Sequence, residues 1–502
     1  MILNLLILVI SAFAWVAALW LVLLPRIAGL PDMGLAAIHA APPLTVVFLW
    51  VFLRRRVLRK RADEAQAREE RAQAARVAAR EAAQNAYDDE MRQRRFACDC
   101  RMVAFSRIGL AAQMPLPDSG QPNIDIRPAE LDPVGDRDEG PLLDCLGPAI
   151  ADAMHSVYSA CRASITFPIY VLPPAELPGE EVLAHLRAAQ SAMADEFAPE
   201  LGARPTSSSI LFLPAGDSVP GSVLSLFESA PDLPGALILA FDSPYLRTPA
   251  DDDTLDVDTD ATGIQRNRLS GKPSEAVVAL LMTNAELPSM LTAISSTPEH
   301  DTPDSMTPFW EKAIHAGGPL EALSRMTHEI RAELVDLPVL GRVHRSTIRR
   351  PTGKRTGVLD LTRLFQDALE QAQVNAGLIA PPFVFGEAPP DANEPKTRNP
   401  AEACSAIVHN AGCVEVAGKR LAALGSALYY FDIDLSPVDN EAVLNVVTRI
   451  GDTGRASGIC QLALALVYAA QKAAPALCAE FMPDDSITAS FVMPAGAGNS
   501  PH

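Results

Sequence analysis

The chain has 502 residues, room for two or three domains, and its 48% apolar and 21% charged residues are the balance of a globular protein. Its 42 basic against 61 acidic side chains leave a formal charge of −19, which argues against a nucleic-acid binder because phosphate binding needs a net basic surface. Eight cysteines without a C-x-x-C pair exclude a disulfide scaffold and a zinc ribbon. Cys98 and Cys100, two apart, would share one face of a strand, a spacing no common structural metal site uses. The thiols therefore read as reduced, mostly buried and cytoplasmic.

Residues 2–24 carry no charge and are long enough to cross a hydrocarbon core of about 30 Å. Pro25 and Arg26 end the run, and residues 35–53 make a second apolar stretch, interrupted by His39 and the pair Pro42-Pro43. Trp50 and Phe52 precede the basic cluster at 54–61 as an interfacial belt would, and the positive-inside rule keeps that cluster in the cytoplasm. The expectation is a transmembrane hairpin over residues 1–61 with both ends inside. A signal peptide competes for the first stretch, but a basic n-region and a small-x-small cleavage site are both missing. His39 is the one ionisable residue within either stretch, so transport or proton relay has no support.

Residues 62–95 are almost entirely Ala, Arg, Glu and Gln, without Gly or Pro. High helix propensity and Glu/Arg spacings of three and four predict a helical stalk of roughly 50 Å. Its apolar stripe is little more than alanine, which makes it a weak coiled coil at best.

From Phe96 onward, β-rich apolar runs predict strands at 97–105, 164–172, 207–215, 235–243 and 275–283, then at 381–387, 427–435 and 443–450. Helical patterns fall at 141–162, 179–197 and 459–472. The alternation predicts an α/β fold of mixed sheets layered with helices, in an N-terminal domain over 96–330 and a C-terminal domain over 331–490. Loops rich in Pro, Asp, Gly or Asn punctuate it at 115–140, 246–274 and 388–402, and residues 491–502 read as a disordered tail.

Most chemical signatures are incomplete. The acidic run 251–260 begins like a calcium loop, but Ala261 and Asn267 stand where Gly and Glu are required. GDSVPGS (216–222) has the glycine spacing of a P-loop without its lysine, and Ser218 lacks a G-x-S-x-G elbow. His328-Glu329 begins like H-E-x-x-H, but Ala332 occupies the second ligand position. No catalytic, cofactor-binding or metal residue emerges. LPVLGRVHRSTIRRPTGKR (337–355) is less generic, because it sets His344 and five arginines beside an apolar run in an acidic chain. A local basic surface suits docking of an acidic partner, and His344, Arg345, Arg349 and Arg350 are the candidate partner-binding residues. A polar loop accounts for the same composition equally well. The glycine-rich turns within 408–431 and 446–470 each feed a helical pattern, which points to close backbone approach or tight helix–sheet packing.

VVTRIGDTGRASGICQLALALVYAA (446–470) resembles the closing motif of β-ketoacyl synthases and other thiolase-like proteins, in which a strand ends in a glycine turn and a helix follows. GALILAFDSP (235–244) and GKPSEAVVALLMT (271–283) resemble strands of the same proteins, in the right order. The resemblance implies a thiolase-like core without its chemistry. AGDSVPGSVLSLF (215–227) has no cysteine where the nucleophile belongs, Arg455 replaces the histidine of the closing turn, and FVFGEAPP (383–390) has no counterpart of the other histidine. Thiolase-type condensation needs the thiolate and both histidines, so the implied scaffold is catalytically dead.

LPVLGRVHR (337–345), FPIYVLPPAE (167–176), VHNAG (408–412) and the two apolar N-terminal stretches resemble the type VI secretion lipase-adaptor family, although Ser346 stands where that family keeps a proline. The resemblance implies a non-catalytic adaptor in the bacterial inner membrane, tethered through residues 2–24 and 35–53, with its soluble part in the cytoplasm. Its implied partners are a secreted phospholipase effector and the secretion spike, with no cofactor. The alternative implied by the thiolase-like core is an acyl-group enzyme at the membrane. That reading requires a reactive, low-pKa thiol, and Cys413 and Cys460, beside glycine turns, are the candidates. A structural membrane scaffold without effector specificity is a third reading.

Overall fold

The computed structural model describes residues 2–19, 21, 32–109, 123–129, 141–201, 208–247, 271–296, 318–352, 357–381, 383, 385, 404–412, 414–438, 442–482 and 484–496. The chain forms two compact units, Met1–Asp88 with Phe383–Glu387, and Asp89–Pro382 with Ala388–His502.

In the first unit, α1 (Ile2–Ala18) is wholly uncharged. The second apolar stretch and the expected stalk are one helix, α2 (Asp32–Arg94), which runs through Pro42 and Pro43. Tyr87 on α2 stacks at a tilt on Phe383, ring centroids 5.6 Å apart. The two-span hairpin is not supported: among the described residues no helix is long and apolar enough to cross a membrane.

The second unit is built on one mixed sheet of twelve strands: β1 (Ala97–Gly109), β2 (Ile124–Ala129), β3 (Ile169–Leu172), β4 (Ile210–Phe212), β5 (Gly235–Asp242), β6 (Ala276–Asn284), β7 (Gly341–His344), β8 (Thr347–Arg349), β9 (Ala406–His409), β10 (Val443–Asn445), β11 (Ala476–Phe481) and β12 (Ile487–Pro494). The order is β10-β9-β11-β12-β7-β1-β6-β5-β3-β4, with β2 beside β1 and β8 beside β12. β5 and β6 are buried along their whole length because helices cover both faces, which is why they read as unbroken apolar runs. β7 joins the two flanks by pairing with β1 on one side and β12 on the other.

Helices α3 (Leu142–Ala160), α4 (Gly179–Leu201), α6 (Leu287–Ser296) and α7 (His328–Asp336) cover one face of the β1, β3, β5 and β6 region. α8 (Val358–Asn375) and α9 (Val414–Tyr430) cover β9, β11 and β12. Between these layers lie α5 (Val219–Ser229) and α10 (Ser457–Lys472), whose Val223, Phe227, Ile459, Leu462 and Leu466 share one core with strands of both regions. Each helix follows an apolar spacing of three and four, as in Leu146, Ile150, Ala153 and Val157 of α3.

Several sequence expectations change; the strand expected at 164–172 is confined to Ile169–Leu172, after a short 3-10 turn at Arg162–Thr166. Residues 427–435 are not a strand: α9 continues to Tyr430, Asp432 turns at φ +54°, and the Ile433 amide donates back to the Leu428 carbonyl. Buried Leu421, Leu424 and Leu428 keep the helical period there. Only 443–445 of the run 443–450 is strand, because Val446–Arg449 turn into a helix. Residues 491–494, expected in the tail, complete β12, since Phe491 is buried at 1% exposure in the core under α8. The described residues Pro381, Phe383 and Phe385 carry no strand, and the rest of the 381–387 run lies outside the described residues.

Candidate functional site

Ser218 is the N-cap of α5: its extended backbone lets Oγ accept the Gly221 amide at 3.1 Å, with Pro220 in the first turn. The same Oγ hydrogen-bonds Ser346 Oγ, on the segment between β7 and β8. A Cβ at Gly221 would lie 2.9 Å from the Ser218 hydroxyl and 3.3 Å from that of Ser346, so the backbone must approach here. Two segments remote in sequence, 216–222 and 337–350, therefore meet at one place.

The arginines of the second segment do not form a free positive patch. Arg345 pairs with Glu228 on α5, Arg349 with Asp367 on α8, and Arg350 with Asp217 at 2.9 Å just before α5. These are largely surface pairs, each worth at most about 1 kcal/mol, so they open at small cost. His344 departs further from expectation. It ends β7 opposite Ala97, is only 6% exposed, and its Nδ1 has no partner among the described residues. Burial, then the charge of Arg342, pushes its pKa down to about 4, so the imidazole is neutral at physiological pH. Asn375, the last residue of α8, pins this corner by donating to the Arg345 carbonyl at 3.1 Å and to Thr347 Oγ1 at 3.2 Å.

The junction continues around the N-terminus of α10. A Cβ at Gly458 would lie 2.6 Å from Val219 Cγ2 and 3.6 Å from Glu480 Oε1, which puts the first turns of α5 and α10 and the Glu480 carboxylate side by side. Glu480 on β11 pairs across the ladder with Thr488 on β12, and Thr488 with Ile348 on β8. Directly opposed residues in an antiparallel pair share a face, so Glu480, Thr488 and Ile348 line the same side. Ser346, two residues before Ile348, closes the ring back to Ser218. Burial alone raises the Glu480 pKa to about 6. Sequence reading missed Glu480. Its signal is a single acid on the face it shares with Cys478, within the otherwise apolar run ALCAEF.

The closing glycine turn is a second, structural cluster. Gly451 (φ +98°) and Gly454 (φ +55°) let residues 451–455 fold against the ends of β5 and β6. The Asp242 carboxylate accepts from the Ser243 amide at 2.8 Å, the Arg455 amide at 2.8 Å and Arg247 at 2.6 Å. Ser243 Oγ donates to Glu275 at 3.0 Å, and Arg107 pairs with the other Glu275 oxygen. Burial pushes the Asp242 and Asp452 carboxyls upward. Close backbone approach, expected from the glycines, is what the turn achieves; Arg455 contributes its main-chain amide.

Of the two thiols singled out, Cys460 on α10 is fully buried, and burial pushes it up to about 12, away from a reactive thiolate. Cys413 lies outside the described residues, as do the acidic run 251–260 and residues 386–390. Among the described residues no group of three or more His, Cys, Asp or Glu could hold a metal ion.

Comparison with solved structures finds low similarity to a thiolase, an OleA protein and a ketosynthase domain. The dimeric peroxisomal thiolase of Saccharomyces cerevisiae is 8% identical, with 79% of this chain and 97% of that one covered and a TM-score of 0.38. A Xanthomonas campestris OleA structure is 10% identical, with 80% and 98% covered and a TM-score of 0.37. The oxazolomycin ketosynthase domain of Streptomyces albus is 13% identical, with 70% and 78% covered and a TM-score of 0.33. No curated protein matches the chain. Residues 395–494, which hold β9 to β12, α9 and α10, match the family model described as type VI lipase adapter protein Tla3, C-terminal. Through that segment the chain is similar to the C-terminal domain of the type VI lipase adapter family.

Proposed function

We propose that the protein is a non-catalytic adapter that binds a type VI secretion lipase and passes it to the secretion spike. The observation that carries this reading is the family match over residues 395–494, because that segment supplies β11, β12 and α10, three of the walls of the junction. The lipase docks over the junction, with Arg345, Arg349 and Arg350 on the rim and His344 supporting it from below. Each rim arginine exchanges its internal carboxylate for one on the partner, a swap that shallow surface pairs permit and that steers encounter. The apolar residues of α1 and the start of α2 attach the protein to a bacterial membrane: Leu6, Ile10 and Phe13 on the one helix and Leu44, Phe48 and Phe52 on the other are all exposed, apolar surface that water does not favour. The acyl-enzyme alternative draws no support from Cys460, whose thiol stays protonated.

The test is co-purification of the tagged, detergent-solubilised chain with its type VI lipase from native cells. Near-stoichiometric recovery of the lipase, reduced by charge reversal at Arg345, Arg349 and Arg350 together, is the expected result. Recovery of acyl carriers in place of a lipase, or of no type VI component, would overturn the adapter reading.

A further inference from the structure

We infer that the junction of α5, α10, β8, β11 and β12 is a receptor for a basic side chain, with the Glu480 carboxylate as its counter-charge and the Thr488 hydroxyl as a further acceptor. The assignment of that side chain to a docked partner rests on the adapter reading; the receptor itself rests on the geometry alone.

Glu480 has neither a hydrogen bond nor an ion pair among the described residues, and no charged group acts on it; burial is the one influence on its acidity. An ionised carboxylate offers two oxygens with about four acceptor positions, and here no side chain of the described residues fills them. The Oε1 atom lies beside the first turn of α10. Thr488 is 2% exposed, and its hydroxyl has no partner among the described residues. The cross-strand pairing of Glu480 with Thr488 puts both on one face. The Ser218–Ser346 pair supplies spare lone pairs on the opposite wall.

Buried polar groups are normally satisfied, so a carboxylate with no basic partner beside an unpartnered hydroxyl marks a place where a ligand fits. A group that brings N–H donors and one positive charge, a guanidinium or an ammonium, complements that carboxylate. The way in is open: Val219, Ser346, Ile348 and Glu480 itself are all partly exposed. The charged residues at the rim, Asp217 paired with Arg350, leave no surplus positive charge to repel a basic group.

The test uses N-acetyl-L-argininamide against the full chain in detergent, with binding followed by saturation-transfer NMR. N-acetyl-L-citrullinamide, its neutral near-isostere, is the control. Expected are saturable binding of the arginine compound, none of the citrulline compound, and at least a tenfold loss in Glu480→Gln. Glu480→Asp, which keeps the charge but shortens its reach, is expected to bind at an intermediate level, and circular dichroism checks that both variants keep the fold. Equal binding by Glu480→Gln, equal binding of the citrulline compound, or no saturable binding would each overturn the inference. The lipase co-purification tests the adapter reading separately. Binding of the arginine compound by a chain that recovers no lipase would sink the adapter and leave the receptor, and the reverse pattern would do the opposite.

Discussion

Glu480→Gln is predicted to stabilise the folded chain at neutral pH. Burial raises this carboxyl from its ordinary 4.5 to about 6. At about 1.36 kcal/mol per pH unit, the ionised side chain costs the native state at most about 2 kcal/mol above pH 6. The sign follows from proton binding. Between pH 4.5 and 6 the native state holds a proton that the unfolded chain has released, so stability falls as pH rises through this window and the full cost stands above it. Glutamine has nearly the same shape and no charge, so its advantage is absent at pH 4.5, grows to pH 6 and is constant beyond. The assay is urea denaturation of both proteins between pH 4.5 and 8, read as the difference in midpoint at unchanged slope. The buried histidines His344 and His409 impose an opposite pH trend on each protein, which cancels in that difference. A variant no more stable than its parent at pH 7.5, or a gain that persists undiminished at pH 4.5, would refute the reasoning. A carboxylate kept at such a cost is the kind of residue that function retains.

His344→Gln is expected to flatten acid unfolding, since the buried imidazole, held near 4 against 6.5 when unfolded, loses up to about 3 kcal/mol of stability as pH falls through that interval; thermal melts at pH 4.5 and 7 check it. Gly454→Ala is expected to cost about 2–4 kcal/mol, because φ is +55° and the new Cβ overlaps the Asp242 carboxylate, with the loss read from denaturant midpoints. Cys460 should resist iodoacetamide at pH 7.5 until urea unfolds the chain, as mass spectrometry of the labelled peptides would reveal.

Local pattern accounts for most of what is legible in the amino-acid sequence alone. The periodicity of 142–160 and 457–472, the continuous apolar runs of 235–242 and 276–284, and the Ala-, Arg- and Glu-rich stretch after residue 61 all name their elements, because each depends on neighbours within a few residues. The turn at 451–454 is legible for the same reason: glycines announce positive φ and close approach wherever the chain goes next. Residues 427–430 mislead because a short aromatic run fits either period, and packing on α8 decides for helix. The candidate site misleads more instructively. Arg345, Arg349 and Arg350 read as surplus positive charge, yet each meets a carboxylate from another part of the chain, Glu228 lying 117 residues from Arg345. His344 reads as a surface group and is buried by the corner that Asn375 closes. Glu480 attracts no notice in the sequence, and its lack of a partner exists only where β11, β12, β8 and two helix starts converge. Propensity and period act over a few residues and are written in the chain, whereas charge balance and desolvation depend on which distant segments the topology brings together.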